Sequence, residues 1–337
     1  MHSTIVGRVF RYLGPIARPV QILHDAVAGA VYAAVPIGAR LVGAGADLAR
    51  GPGDGYPATT AVVNALWGDT LAGASSPLAV GPSIRGSDGR TVGSVAVGPN
   101  VVVLLHGLGQ TESCWLRHGS ESLGQRLDEE AGTTPLLVRY NTGLPVSRNG
   151  RAVSDLLEGL LSEHTDQIET VSLIGFSMGG LVARAALDSA PPAARWPTLL
   201  RHVVTIGSPH RGTPLAAIAP LASRALGIAA TTRPLATMVE RRSRGLKDMD
   251  GSHAGGETFE PAPGPGRPRH HYVAATITGD MTHPIGAVMG DLVVGVGSAT
   301  GPAVTTDNVR VVGGVRHFDL LGSEAVVDQV VDWVRAT

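Results

Sequence analysis

The chain has 337 residues, enough to bury one large α/β core with insertions, or two smaller cores. A net charge of −1 gives no basic footprint for nucleic acid, and a single cysteine, Cys114, excludes an internal disulfide. Only 16% of residues are charged, and mean hydropathy is positive. That balance suits contact with lipid, although a glycine- and alanine-rich composition produces it too.

Residues 1–58 are expected to form a helical extension. The pattern predicts two pieces, about 4–13 and 19–49, broken between Pro15 and Pro19. The second carries Ile22, Leu23, Val27, Val31 and Val35 near helical spacing. Such a stripe packs on a catalytic domain or a second copy, or serves as a peripheral membrane or lipid-surface contact through 1–50. The apolar run 26–48 is interrupted by Pro36, Arg40 and Asp47, which argues against a spanning helix. Arg8, Arg11 and Arg18 faintly resemble the start of a secretion signal, but Pro15, Pro19 and His24-Asp25 break its apolar core. A cytoplasmic or peripherally membrane-associated protein is therefore expected over a secreted one.

A glycine-rich linker at 51–55 leads to a helix over 59–71, then a hairpin of 78–84 with 91–97 around Gly86–Gly89. From 100 onward strands and helices alternate. Strands are expected at 100–105, 135–140, 201–206, 272–278 and 309–312, with helices at 120–130, 147–164 and 323–336, and an apolar strand running into a helix over 171–189. This rhythm means a mostly parallel sheet with helices on both faces, and catalytic groups at the carboxyl ends of its strands. Residues 213–268 break it. They hold an apolar stretch at 215–230, the basic group Arg241, Arg242 and Arg244, and Gly/Pro-rich sequence at 251–268. We expect a lid there.

Residues 171–184, VSLIGFSMGGLVAR, carry the chemistry. An apolar strand runs into Gly175-x-Ser177-x-Gly179, and small residues continue as a helix. A serine on such a turn exposes its oxygen, and the helix N-terminus favours nearby negative charge. Ser177 is thus the expected nucleophile. A serine nucleophile needs a base, an acid and oxyanion donors. Of the 12 histidines, His317 lies between the last strand and the last helix, the place for the base. Two acids compete: Asp280 directly follows the strand at 272–278, and Asp291 stands further on in GDLVVGVGSA. The backbone N–H groups of Met178 and Leu108 are the expected oxyanion hole, with His106 and Gly107 of the HGLGQ turn and His210 shaping the substrate-binding site. No Cys/His cluster has metal-ligand spacing, His270-His271 being too short a signal.

Taken together these blocks resemble bacterial α/β-hydrolase lipases and esterases, including the group related to GPI inositol-deacylases. LLHGLGQ (104–110) is similar to the family's oxyanion motif, IGFSMGGLVAR (174–184) to its elbow, and TIGSPHRGTPLA (205–216) to its G-S-P-x-x-G-T block. GDLVVGVGSA (290–299) looks like the acid block, D-G-L-V-P-V-x-S-A, and RHFDLL (316–321) like the histidine block. In the acid block Leu292 replaces the usual glycine and Gly295 a proline. The resemblance spans about 100–337 and implies the α/β-hydrolase fold; the α/β-hydrolase domain, lid insertion included, is expected over 59–337. It favours Asp291 as the acid. It also implies hydrolysis of carboxylic esters, often of acyl lipids, without a cofactor. An acyltransferase using the same triad and a non-catalytic scaffold are the alternatives. Oligomeric state is not legible.

Overall fold

In the computed structural model, residues 58–90, 97–116, 122–213, 243–249, 267–281, 283–301 and 306–336 are described. All belong to one unit, which takes in 54–230 and 242–337. The expected N-terminal arm and most of the expected lid, 214–242 and 250–266, lie outside the described residues.

In chain order the elements are α1 (Ala58–Gly73), β1 (Ser83–Arg85), β2 (Asn100–Leu105), α2 (Leu123–Ala131), β3 (Thr134–Arg139), α3 (Val146–Glu163), β4 (Thr170–Phe176) and α4 (Met178–Asp188). They continue with α5 (Trp196–Leu199), β5 (Leu200–Ile206), α6 (Arg244–Asp248), β6 (Arg269–Thr276), α7 (Pro284–Met289), α8 (Val296–Ala299), β7 (Val309–Gly313) and α9 (Glu324–Arg335). The seven strands form one sheet in the order β1-β3-β2-β4-β5-β6-β7. Only β1 is antiparallel to its neighbour.

The two-residue period of each strand divides the core between two layers. Val101, Val103 and Leu105 of β2 join Leu173 of β4 against α3 and α4, where Leu157, Leu160, Val182 and Ala186 meet them. Val102 and Leu104 point the other way, with Ile174, Phe176 and Val204, onto Leu127 of α2 and Val327, Val330, Val331 and Val334 of α9. Burial on both faces explains why β2 and β4 read as continuous apolar runs. Ser122 caps α2 in a reciprocal box with Gln125.

The first expected hairpin strand, 78–84, is shortened to its end, Ser83–Arg85. Leu78 and Val80 are buried, but their backbone does not pair with a strand. Asn64 of α1 takes it instead: its amide donates to the Leu78 carbonyl at 2.8 Å and accepts the Val80 N–H at 3.0 Å. A side-chain amide thus supplies what a strand edge would, and pairing with β3 is limited to Ser83–Arg85. The proposed second strand lies mostly outside the described residues.

Helix α1 also closes a seam with the turn after β3 and with α6. Asn141 donates to the Gly68 carbonyl at 3.0 Å, Ser243 N–H to the Leu66 carbonyl at 3.0 Å, and Gly245 N–H to the Gly143 carbonyl at 3.1 Å. The backbones meet so closely that a Cβ at Gly143 would lie 2.0 Å from the Asn64 carbonyl oxygen, and one at Gly245 2.2 Å from that of Thr142. Among the described residues no helix is long and apolar enough to cross a membrane.

Candidate active site

Ser177 stands between the end of β4 and the first turn of α4, with φ 53° and ψ −121°. A non-glycine residue held there is strained, and the surroundings enforce it. The Ser177 N–H donates to the Ile206 carbonyl of β5 at 2.8 Å. The turn is tight enough that a Cβ at Gly179 would lie 2.1 Å from the Leu105 carbonyl oxygen, and one at Gly175 2.3 Å from the Gly180 nitrogen. The two glycines of the motif are therefore required by close backbone approach.

His317 and Asp291 meet beside this turn. His317 follows β7 and Asp291 follows α7, and both are buried. The His317 Nδ1 lies 2.7 Å from Asp291 Oδ2, and the His317 backbone N–H donates to the Asp291 carbonyl at 3.1 Å. The other carboxylate oxygen accepts the N–H groups of Val293 at 2.9 Å and Val294 at 2.8 Å. With Nδ1 donating to the carboxylate, Nε2 is left as the basic nitrogen. The His317 ring packs at 4.9 Å from that of Phe176, the residue before the serine. Asp280 is elsewhere: it is exposed, and its carbonyl accepts the Thr278 hydroxyl at 2.8 Å.

The HGLGQ turn lies on the other side of the serine. A Cβ at Gly107 would fall 3.1 Å from Ser177 Cβ. The N–H of Met178, first residue of α4, lacks an intrahelical partner, as every helix N-terminus does. Expected among the substrate-binding groups, His106 is instead fully buried at 0% exposure. It stacks on Tyr140, whose hydroxyl donates to the His106 carbonyl. Burial pushes its pKa down to about 4, so it is neutral. Its Nδ1 donates to the Gly107 carbonyl at 3.0 Å, and its Nε2 accepts the Tyr140 N–H at 3.4 Å. His106 is a prop beneath the turn.

Behind the turn, Glu112 and Arg139 form a buried ion pair. Burial alone would raise the Glu112 pKa, but the Arg139 guanidinium holds it below the ordinary value. His210 accepts from Arg184 of α4 at 2.8 Å through Nδ1 and donates through Nε2 to Thr205 at 3.0 Å. Burial, with Arg184 beside it, lowers its pKa to about 3. Its backbone N–H and the Arg211 N–H both reach Ser298, so this loop ties the serine helix to the segment after Asp291.

Sequence reasoning missed Gln110 and Thr142, whose side chains accept N–H groups of the HGLGQ turn. Gln110 was within reach as the last residue of the turn; Thr142 comes from 33 residues away and left no signal. Among the described residues no three His, Cys, Asp or Glu side chains are grouped to hold a metal. His270 and His271 are on β6, where His271 pairs with His202 at 3.1 Å and stacks on Trp333.

This sheet, with its serine turn and its histidine after the last strand, is the α/β-hydrolase fold. Residues 145–222 match the family model described as PGAP1-like alpha/beta domain. Among solved structures, the mature form of the Bacillus licheniformis lipase BlEst2 aligns at TM-score 0.50 and 16% identity, over 76% of this chain and 97% of that one. The Legionella pneumophila phospholipase PlaB aligns at TM-score 0.51 and 13% identity, over 71% and 60%. A Pyrobaculum calidifontis esterase aligns at TM-score 0.44 and 14% identity, over 83% and 90%. Comparison with curated protein sequences gives no match. The chain is an α/β-hydrolase-fold protein similar to bacterial lipases and esterases.

Proposed function

We propose that the protein is a serine hydrolase of carboxylic esters, working through an acyl-enzyme on acyl lipids or other apolar esters. The observation that carries this reading is the His317–Asp291 hydrogen bond beside a serine held at positive φ on the strand–helix turn. His317 Nε2 takes the proton of the Ser177 hydroxyl as its oxygen attacks the ester carbonyl. Asp291 holds the ring and stabilises the imidazolium. The N–H groups of Leu108 and Met178 receive the oxyanion. His317 returns the proton to the departing alcohol, and water, activated by the same nitrogen, releases the acid.

Support for an apolar substrate comes from the segment around the acid. Met281, Val288, Met289 and Leu292 are exposed by 45–79%. Together with Leu116 they make up the large exposed apolar side chains among the described residues. The similar solved structures are named as a lipase, an esterase and a phospholipase.

The test is Ser177→Ala against wild type on nitrophenyl esters of rising chain length, with labelling by a fluorophosphonate probe. Loss of a triad member is expected to lower turnover by about 10⁴-fold or more. Labelling should stop with the serine removed. A folded variant with wild-type turnover would overturn the mechanism.

A further inference from the structure

The turn between β2 and the serine has four backbone N–H groups close together, those of Gly107, Leu108, Gly109 and Gln110. An oxyanion hole works when particular donors are free and fixed before reaction. Extra free donors in the same loop would bind water, or would let the turn rotate to offer the wrong amide. Three of the four are taken. Gly107 N–H donates to the side-chain oxygen of Gln110 at 3.0 Å. Gly109 N–H donates to the Thr142 hydroxyl at 3.2 Å. Gln110 N–H closes the turn on the Gly107 carbonyl at 3.2 Å. Leu108 N–H has no hydrogen-bond partner among the described residues.

We propose that Gln110 and Thr142 are positioning residues for the oxyanion turn: by occupying the two neighbouring amides they leave Leu108 N–H as the turn's free donor and fix its direction. The proposal rests on the serine-hydrolase reading and adds to it the side chains that select the donor. The two act from different places. Gln110 caps the turn from within, its own N–H and side-chain oxygen gripping Gly107 from both sides. Thr142 acts from the end of β3. It is 1% exposed, in a turn whose backbone is held by Asn141, which accepts the Gly143 N–H at 3.0 Å and donates to Gly68, and by Asn149, which donates to the Asn141 carbonyl at 2.9 Å. The hydroxyl that receives Gly109 is therefore as fixed as the sheet, and α1 stands behind it.

The experiment uses the full chain and compares Gln110→Met, Thr142→Val and Thr142→Ser. Gln110→Met keeps the length and removes the acceptor. Thr142→Val keeps the shape and removes the hydroxyl; Thr142→Ser keeps the hydroxyl. Removing a whole oxyanion donor costs about 10²–10³-fold in kcat, so misdirecting one is expected to cost about 10- to 100-fold. KM for a short-chain nitrophenyl ester should change by less than about twofold, because the ground-state ester does not need the donor. The inhibition constant of an alkylboronic acid, which forms a tetrahedral anion on the serine, should rise by the same factor as kcat falls. Thr142→Ser should restore the rate lost in Thr142→Val.

A merely structural role would lower the thermal midpoint without this match between kcat and boronate binding. Folded Gln110→Met and Thr142→Val variants with wild-type kcat and boronate affinity would overturn the proposal, as would a loss confined to KM. If Gln110→Met does not fold, the threonine pair decides the question alone. Failure of the underlying reading looks different: the wild-type protein itself would neither turn over esters nor take up fluorophosphonate.

Discussion

On one flank of Ser177 the HGLGQ turn is fixed by side chains: Gln110 and Thr142 on its amides, the Tyr140 hydroxyl on the His106 carbonyl, and the Glu112–Arg139 pair behind it. On the other flank Asp291, the proposed acid, is fixed by backbone. Asp291 takes the N–H groups of Val293 and Val294, its carbonyl takes that of His317, and Leu292 between them is held at φ 79°. The first flank is buried and polar, and the second carries exposed apolar side chains. A site fixed by side chains is vulnerable to point substitution at many positions. One fixed by backbone tolerates changes around it and is sensitive only at the functional residue and at strained positions.

The largest effect should fall on the acid itself. Asp291→Asn leaves the backbone bonds in place but favours the wrong histidine tautomer, so kcat should drop by about 10⁴-fold. Asp280→Asn, in the exposed loop, should stay within about twofold of wild type on the same ester. Reversal of the two would place the acid at Asp280 and undo the description of that flank.

The next effect is on stability. Glu112→Ala leaves the Arg139 guanidinium buried beside a missing partner, which should cost about 3–5 kcal/mol in urea unfolding. Replacing both, as Glu112→Met with Arg139→Met, should recover part of that loss, because two apolar side chains leave no uncompensated charge. A loss under about 1 kcal/mol for Glu112→Ala would show that water reaches the pair and that this flank is less closed than described.

The smallest effect has the opposite sign. A leucine in the left-handed region costs roughly 1–2 kcal/mol, and Leu292 is 45% exposed, so little packing offsets it. Leu292→Gly relieves the strain but adds about 0.5–1 kcal/mol of unfolded-state entropy. The net expectation is a rise in Tm of no more than about 2 °C by calorimetry. A fall in Tm would mean that the leucine side chain is held by contacts that outweigh its backbone.

Much of this was legible in the sequence, for reasons that differ by element. Strands β2, β4 and β5 stood out because burial on both faces demands unbroken apolar runs, and α3 and α9 because one face is buried. The serine turn was legible because its glycines answer to backbone contact. The approximate place of the histidine, between β7 and α9, followed from chain order. The acid was not fixed by position alone, since Asp280 and Asp291 both follow β6 and only the fold brings one of them to His317. Short helices such as α5, α7 and α8 span 4–6 residues, too few to show a period. The first hairpin strand is shorter than expected because Asn64 captured the backbone of Leu78 and Val80. Gln110 and Thr142 act through single hydrogen bonds to backbone, and such bonds leave no pattern to read.

The seam of α1, the turn after β3 and α6 has a consequence in time as well as in space. Its hydrogen bonds join residues 73 and 102 positions apart, and closing such loops costs entropy before any contact returns it. The seam should therefore be among the last parts to form, and Thr142 is within it. On dilution from urea, ester turnover should recover later than the far-ultraviolet helix signal. Simultaneous recovery would mean that the seam assembles together with the sheet. A chain in that late stage of folding would already have its strands, its helices and its serine turn, and would wait for one threonine hydroxyl to reach its glycine.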